Sequence, residues 1–168
     1  MSIQGRGLIR AARDFRNQAS IAVHRFQFGN HIRPISDIWA DLVLLTLYGG
    51  VAGTIRAAAR QLVKQGQKVG VLSIKLYRPF PTQLVADLLK EAKVVGVMDR
   101  SISFGAPFSP LSQDVRSVLS SLDIGAKVVS VNYGIGGRDF SVDDGREVFS
   151  LLKRREVQTS ETYHYGAR

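Results

Sequence analysis

The chain has 168 residues, of which 45% are apolar and 22% charged, a composition typical of one globular domain with a core of its own. It contains no cysteine and no apolar run near the roughly 18 residues of a membrane span, which excludes disulfides, thiolate metal sites, cysteine nucleophiles, protein-bound iron–sulfur clusters and membrane insertion. The net charge of +9 is concentrated near the start and does not form a basic stripe interleaved with aromatic residues, which argues against nucleic-acid binding.

The first predicted element is a basic amphipathic helix over residues 6–23, in which apolar residues recur at three- and four-residue spacing. Residues 1–36 contain six arginines and one acidic residue, Asp14. Such a helix is typical of a targeting presequence, but a surface helix of the domain or a non-native start is the preferred interpretation. Residues 24–37 are predicted to be a linker, in which the alternating segment His24–Phe28 would add a short strand.

From residue 38 onward, apolar strands alternate with helices. The predicted strands are 40–48, 68–77, 93–99 and 126–132, and the predicted helices are 54–64, 82–92, 111–122 and 142–154. Strands that are apolar on both faces and joined by helices imply a parallel sheet covered on both sides. We therefore predict a three-layer α/β/α domain with a mostly parallel, doubly wound sheet over residues 38–154. Residues 1–37 form the basic helix and linker, and residues 155–168 form a polar, loose tail.

Three predicted loops follow strands of this sheet, at the edge where such sheets bind ligands. The first, Gly49–Thr54, has glycines that suit an anion at a helix N-terminus, although a tight turn with Thr54 as a cap explains it as well. It is neither a Walker loop nor a Gly-x-Gly-x-x-Gly motif. The second, Asp99–Gly105, offers an acid, a guanidinium and two hydroxyls, for a carboxylate or phosphate or, slightly favoured, for a neighbouring loop or subunit.

The third loop, Asn132–Asp139, places Arg138 beside flexible glycines, which suits close approach of a ligand to the backbone. The alternative is an internal network between Arg138 and Asp139, with the glycines at positive φ. The candidates for anion binding or subunit contact are Gly53, Thr54, Arg78, Arg100, Ser101, Ser103, Gly136, Gly137 and Arg138.

No catalytic set is evident in the residues. The three histidines, His24, His31 and His164, lie outside the predicted core, which leaves no Ser–His–Asp arrangement inside the sheet. No cluster of histidines and acids has metal-ligand spacing. Acids such as Asp87 and Glu147 fall on predicted helices, where a solvated face explains them better than acid–base catalysis. We therefore predict no catalytic and no metal-binding residue.

Four motifs, in order along the chain, resemble those of a known family. They are Ala40–Val43 followed by Val51–Thr54, Lys68–Leu72 followed by Tyr77–Pro81, Met98–Gly105, and Tyr133–Asp139. Over about residues 38–150 the chain resembles the second domain of the pyruvate:ferredoxin oxidoreductase alpha subunit, which is similar to the C-terminal domain of transketolase. The resemblance implies a first strand antiparallel to the others, and the segment around Phe26 is the candidate for it.

The resemblance implies a function for an assembly to which this chain contributes. The family oxidatively decarboxylates a 2-oxoacid to an acyl-CoA, using thiamine diphosphate, and passes electrons through iron–sulfur clusters to ferredoxin. Its thiamine pocket lies between two other domains. We therefore expect this chain to be inactive alone, to bind neither cofactor, and to serve structure and subunit contact in a cytoplasmic complex. The implied partners are the thiamine-pocket domain, the beta subunit and a ferredoxin-like subunit, with coenzyme A at the edge of the complex.

The sequence departs from the family pattern in three places. Only about 37 residues precede the match, so we expect a split subunit, a truncated gene product or a relic without the thiamine-pocket domain. Gly50 stands where the family often has serine, and Ala106–Pro110 replaces a more glycine-rich stretch. An alternative function remains, a free-standing α/β module that holds an anionic metabolite in a crevice formed by Gly53, Arg100 and Arg138.

Overall fold

The computed structural model describes residues 23–24, 42–47, 50–74, 77–154 and 159–166. The strands in these ranges are β1 (Val23–His24), β2 (Leu42–Leu47), β3 (Val69–Ile74), β4 (Val94–Asp99), β5 (Lys127–Asn132) and β6 (Thr162–His164). The helices are α1 (Gly50–Lys64), α2 (Thr82–Leu89), α3 (Pro110–Ser121) and α4 (Val142–Leu152), with a 3-10 turn at Ile135–Gly137. Within the same ranges, no helix combines the length and the hydropathy that a bilayer crossing requires.

The six strands form one sheet in the order β1-β3-β2-β4-β5-β6. Strands β2 to β6 run parallel, whereas β1 runs antiparallel to β3. The predicted mostly parallel sheet is confirmed, and so is the implied antiparallel first strand. That strand lies at Val23–His24, where it pairs with the otherwise open edge of β3. Phe26 and the predicted helix up to residue 22 lie outside the described residues, and Val23 belongs to the strand rather than to that helix.

Side chains from the two faces of the sheet enter two separate cores. In β3, Val69 and Val71 face the layer formed by α1 and α4, whereas Leu72 and Ile74 face α2 and α3. All four are buried. Burial of each such side chain favours the folded state by about 1.5–3 kcal/mol, so both faces of a strand need apolar residues. This two-sided burial explains the continuous apolar runs in the sequence and confirms the predicted three layers.

Helix α1 begins earlier than predicted. It includes Gly50, so the described part of the segment expected to be a glycine loop, Gly50–Thr54, is the first turn of a helix. Val51 and Ile55 are buried on the same face as Leu62, and this apolar stripe extends the helix back through the glycines. A glycine inside a helix costs only about 1 kcal/mol relative to alanine, which tertiary burial outweighs.

The expected loose tail is wrong for residues 159–166. Strand β6 pairs in parallel with β5, and the Tyr165 amide donates to the Asn132 carbonyl at 2.7 Å. Tyr163 and Tyr165 pack against the core beneath α4, whereas His164 between them is exposed. Alternation of two aromatic side chains with a polar one is typical of a half-buried strand, and the polar composition of the segment conceals it.

Candidate functional site

The segments that carry the predicted site residues share one edge of the sheet. Because β2 to β6 are parallel, their carboxyl ends meet at this edge, and the start of α1 and the loops after β3, β4 and β5 lie there. The direction of the strand order reverses between β2 and β4, since β3 lies beyond β2 on the other side. In sheets of this kind the loops at such a reversal form the usual ligand or partner site.

Asp99 fixes the loop that follows β4. Its side chain is buried, and its Oδ1 accepts hydrogen bonds from the Ser101 amide at 3.0 Å and from Ser101 Oγ at 2.8 Å. Its Oδ2 accepts from the Leu111 amide at 3.1 Å, one of the donors that the N-terminus of α3 would otherwise leave unpaired. The carboxylate therefore clamps both ends of the loop. Ser101, a predicted site residue, is part of this clamp.

Further bonds hold the middle of the same loop. Gln113 of α3 donates to the Phe108 carbonyl at 2.8 Å and to Ser103 Oγ at 3.2 Å. Thr162 of β6 donates to the Pro107 carbonyl at 2.9 Å. Ser103, another predicted site residue, therefore bonds within the domain.

The loop exposes apolar side chains at its tip. Phe104 is 97% exposed and Ile102 is 44% exposed, and Ile135 in the loop after β5 is 37% exposed. The sequence predictions selected the polar neighbours of these residues and missed the apolar ones. The available signal was the alternation Ser101-Ile102-Ser103-Phe104 in a loop, where an apolar side chain has no core to enter.

Arg100 links the loops after β4 and β5. Its Nη2 donates to the Gly134 carbonyl at 3.3 Å, and its guanidinium carbon lies 6.0 Å from the centre of the Tyr133 ring. A Cβ at Gly134 would lie 3.0 Å from Arg100 Nε, so a larger residue there would displace the end of the arginine side chain. Gly134, Gly136 and Gly137 have φ of 65°, 70° and 79°, as expected for this loop.

Arg138 bonds to the turn after β6 rather than to its sequence neighbour. Its Nη1 donates to the Gly166 carbonyl at 3.2 Å, and a Cβ at Gly166 would lie 2.9 Å from the same nitrogen. The expected network between Arg138 and Asp139 is therefore replaced by a contact with the end of the chain. The prediction failed here because it did not include β6.

Arg78 belongs to an ion-paired cluster after β3. Its Nη2 lies 2.9 Å from Asp114 Oδ2, and its guanidinium carbon lies 3.9 Å from the centre of the Tyr77 ring. The Tyr77 hydroxyl donates to the same Asp114 oxygen at 2.6 Å. Asp114 on α3 thus neutralises Arg78, which leaves this predicted anion-binding residue paired.

The Tyr77 phenol should titrate late. Partial burial, followed by the hydrogen bond to Asp114 and the charge of Asp114, raises the pKa of Tyr77 to about 12, despite the opposing effect of Arg78. Because the folded pKa lies above the usual value of about 10, this bond stabilises the fold fully below pH 10 and less as the pH rises toward 12. In an ultraviolet titration, Tyr77→Phe should remove a phenol that ionises near pH 12. Loss of a phenol that ionises near pH 10 would contradict this assignment.

The first predicted loop contributes less to the edge than expected. Gly53 and Thr54 lie inside α1, Gly53 exposed and Thr54 half-buried, so Thr54 is not the cap of the helix. A Cβ at Gly53 would meet nothing within 4 Å. In the part of the chain that the structure describes, no hydrogen bond joins either residue to Arg100 or Arg138. A shared crevice formed by Gly53, Arg100 and Arg138 stays a prediction.

Comparison with known families decides the assignment. The family of pyruvate:ferredoxin oxidoreductase core domain II matches residues 40–144. This chain belongs to that family. The resemblance drawn from the four motifs is thereby confirmed.

Relatives of the core domain II chain are subunits of oxidoreductases. This chain is 37% identical to the pyruvate synthase subunit PorA of Methanocaldococcus jannaschii over 117 residues. The aligned segment covers 70% of this chain and 29% of that subunit. The chain is 32% identical over 117 residues to the ketoisovalerate oxidoreductase subunit VorA of Pyrococcus abyssi, with 68% and 29% covered. The chain therefore spans less than a third of the length of these relatives.

Two solved structures share the fold of this core domain II chain. One is the 2-oxoglutarate:ferredoxin oxidoreductase from Magnetococcus marinus with 2-oxoglutarate, coenzyme A and succinyl-CoA bound (TM-score 0.56, 16% identity, 91% of this chain and 24% of that chain covered). The other is a split-gene transketolase, an inactive beta4 tetramer (TM-score 0.50, 19% identity, 78% and 47% covered). The predicted three-layer, transketolase-like fold is thereby confirmed.

The ligands that the cofactors implied by the family would need are not found among the residues that the structure describes. Iron–sulfur clusters are normally held by cysteine thiolates, and the sequence has none. A diphosphate cofactor is usually held through a divalent cation bound by carboxylates, and the described residues contain no group of three histidines or acids that could hold a metal ion.

Proposed function

We propose that this chain is a component of a 2-oxoacid:ferredoxin oxidoreductase, in which it provides structure and subunit contact and not catalysis. The family match supports the assembly, and the carboxyl edge supports the role. Asp99, Arg78 and Arg138, three of the groups there with the chemistry of a base or an anion ligand, are bonded to other parts of the same domain. An edge held together in this way presents a defined surface.

The proposed assembly converts pyruvate or a related 2-oxoacid and coenzyme A to an acyl-CoA and carbon dioxide. Thiamine diphosphate in another part of the complex would carry out the decarboxylation. Iron–sulfur clusters would transfer the electrons, and ferredoxin would accept those electrons. The names of the relatives, pyruvate synthase and ketoisovalerate oxidoreductase, support this substrate class. The proposed partners are the thiamine-pocket domain, the beta subunit and a ferredoxin-like subunit.

Activity and co-purification test this proposal together. The purified chain alone should give no 2-oxoacid-dependent reduction of a viologen dye. Expressed with the remaining subunits, it should co-purify with them in a fixed ratio, and the complex should reduce the dye. The matched control is the same set of subunits without this chain. A fully active complex in the control, or no co-purification, would contradict the proposal.

A second function, binding of an anionic metabolite, is favoured by one observation. The first of three left-handed glycines after β5, Gly134, lies beside Arg100, which is exposed and forms no ion pair with a carboxylate of the described residues. Calorimetry of the chain with coenzyme A, thiamine diphosphate and nucleotides should then detect binding that Arg100→Ala abolishes. Arg60→Ala, at an exposed position on α1, is the control. The absence of heat with all of these ligands would exclude this function.

A further inference from the structure

We propose that Ile102 and Phe104, called the loop tip below, dock this domain onto the rest of the oxidoreductase alpha subunit. The inference rests on the proposed function and extends it by naming a surface and an occupant. Phe104 is 97% exposed and Ile102 is 44% exposed. Aromatic side chains of this kind are enriched among the residues that dominate binding energy when a partner buries them.

The loop tip is held in place before any partner binds. The Asp99 carboxylate clamps the two ends of the loop through Ser101 and Leu111. Gln113 holds its middle, and the guanidinium carbon of Arg116 lies 3.8 Å from the centre of the Phe108 ring. A loop that is already ordered loses little conformational entropy on binding. The free energy of its contacts is therefore offset less by the cost of ordering the loop. Order of this kind around an exposed phenylalanine is what a docking anchor requires.

The surroundings of the loop tip define the chemistry of its partner. Arg100 stands at the base of the loop, exposed, and bonds only to a carbonyl and a ring among the residues that the structure describes. Ile135, on the adjacent loop, extends the apolar surface. The complementary surface therefore has an apolar pocket for Phe104 with a carboxylate at its rim. Pairing of that carboxylate with Arg100 would make docking weaken as salt rises.

The length of the relatives identifies the occupant. The matched segment covers 70% of this chain and only 29% of the pyruvate synthase subunit. In that subunit, most of the polypeptide lies outside this domain and is joined to it covalently. Because of this covalent link in the relative, we assign the loop tip to the rest of the alpha subunit, ahead of the beta subunit or a second copy of this chain.

A matched pair of substitutions tests the surface. Ile102 and Leu122 are both 44% exposed, but Leu122 follows the end of α3 at the opposite edge of the sheet. Binding of the full-length chain to the co-expressed remaining subunits would be measured for Phe104→Ser, Ile102→Asp and Leu122→Asp. Phe104→Ser and Ile102→Asp should each weaken binding by roughly thirtyfold, as loss of a central anchor does. Leu122→Asp should bind like the wild type, and circular dichroism should show all three folded.

The outcomes separate this inference from the proposed function. If the wild-type chain binds and Phe104→Ser binds equally well, the loop tip is not the anchor, but the chain is still a component of the complex. If the wild-type chain does not bind the remaining subunits, both proposals fail. A photo-reactive phenylalanine analogue in place of Phe104 should cross-link to the alpha-subunit polypeptide. A cross-link to the beta subunit or to a second copy of this chain would overturn the choice of occupant.

Discussion

Replacement of Asp99 by alanine should lower the free energy of unfolding by about 3 kcal/mol. Asp99 is 6% exposed, and its carboxylate accepts three hydrogen bonds, from the Ser101 amide, Ser101 Oγ and the Leu111 amide. Without it, the Leu111 amide at the start of α3 loses its acceptor in a place that water hardly reaches. Urea unfolding followed by circular dichroism would measure the change.

Two milder substitutions should lower the free energy of unfolding less than Asp99→Ala does, and they serve as comparisons. Ser101→Ala removes one donor and leaves both amides bonded to Asp99, so it should cost only about 1 kcal/mol. Asp99→Asn keeps one acceptor oxygen and should fall between the two. Equal stability of Asp99→Ala and Ser101→Ala would mean that the clamp on the loop does not depend on the carboxylate. Because this clamp also orders the loop tip, Asp99→Ala should weaken docking as well.

The layers of the fold could be predicted because burial on both faces leaves a strong pattern in the sequence. The run Val69–Ile74 is apolar at nearly every position, which a strand covered on one face does not require. The helix boundary at Gly50 could not be predicted in the same way. Glycines favour a turn locally, and only the packing of Val51 and Ile55 under the sheet makes them helical. Burial of these two side chains therefore outweighs the local preference of the glycines for a turn.

Strand β6 was missed because its stability comes from distant residues. Thr162–His164 is short and polar, and it becomes a strand by pairing with β5 and by the packing of Phe140 against Tyr165, whose ring centres are 5.8 Å apart. The Tyr165 hydroxyl also lies 2.6 Å from a Glu147 carboxylate oxygen and 2.9 Å from one of Asp144, both on α4, so its single proton is available to either carboxylate. Partial burial and these two carboxylates raise the pKa of Tyr165. None of these contacts is visible in a window of neighbouring residues.

The positions of the predicted site residues followed from the sequence, whereas their contacts did not. Arg78, Arg100 and Arg138 do lie at the carboxyl edge, as strand ends in a parallel sheet require. Their partners are 36, 34 and 28 residues away in the sequence, on Asp114, Gly134 and Gly166. The sequence does not distinguish a loop arginine that binds a ligand from one that donates a hydrogen bond to a carbonyl of its own domain. Only the three-dimensional structure shows which of them remain available to a partner.

Replacement of Gly145 by valine should destabilise the domain by about 2 kcal/mol, because α4 packs there against α1 without room for a side chain. A Cβ at Gly145 would lie 2.9 Å from the Ala58 Cβ, and Ala58 is fully buried. Neither a backbone nor a methyl group can rotate away, so the helices must separate. The loss would be measured as a lower urea midpoint with an unchanged slope.

Gly53→Ala is the matched control, since Gly53 is also a helical glycine in the same layer. A Cβ there meets nothing within 4 Å, so alanine should stabilise the domain by about 0.5–1 kcal/mol through helix propensity and a less flexible unfolded chain. Opposite signs at the two positions would show that Gly145 is required for packing and that Gly53 is not required for the fold. If Gly53→Ala is instead destabilising, the start of α1 has a contact beyond those of the described residues. The anion-binding crevice would then gain support.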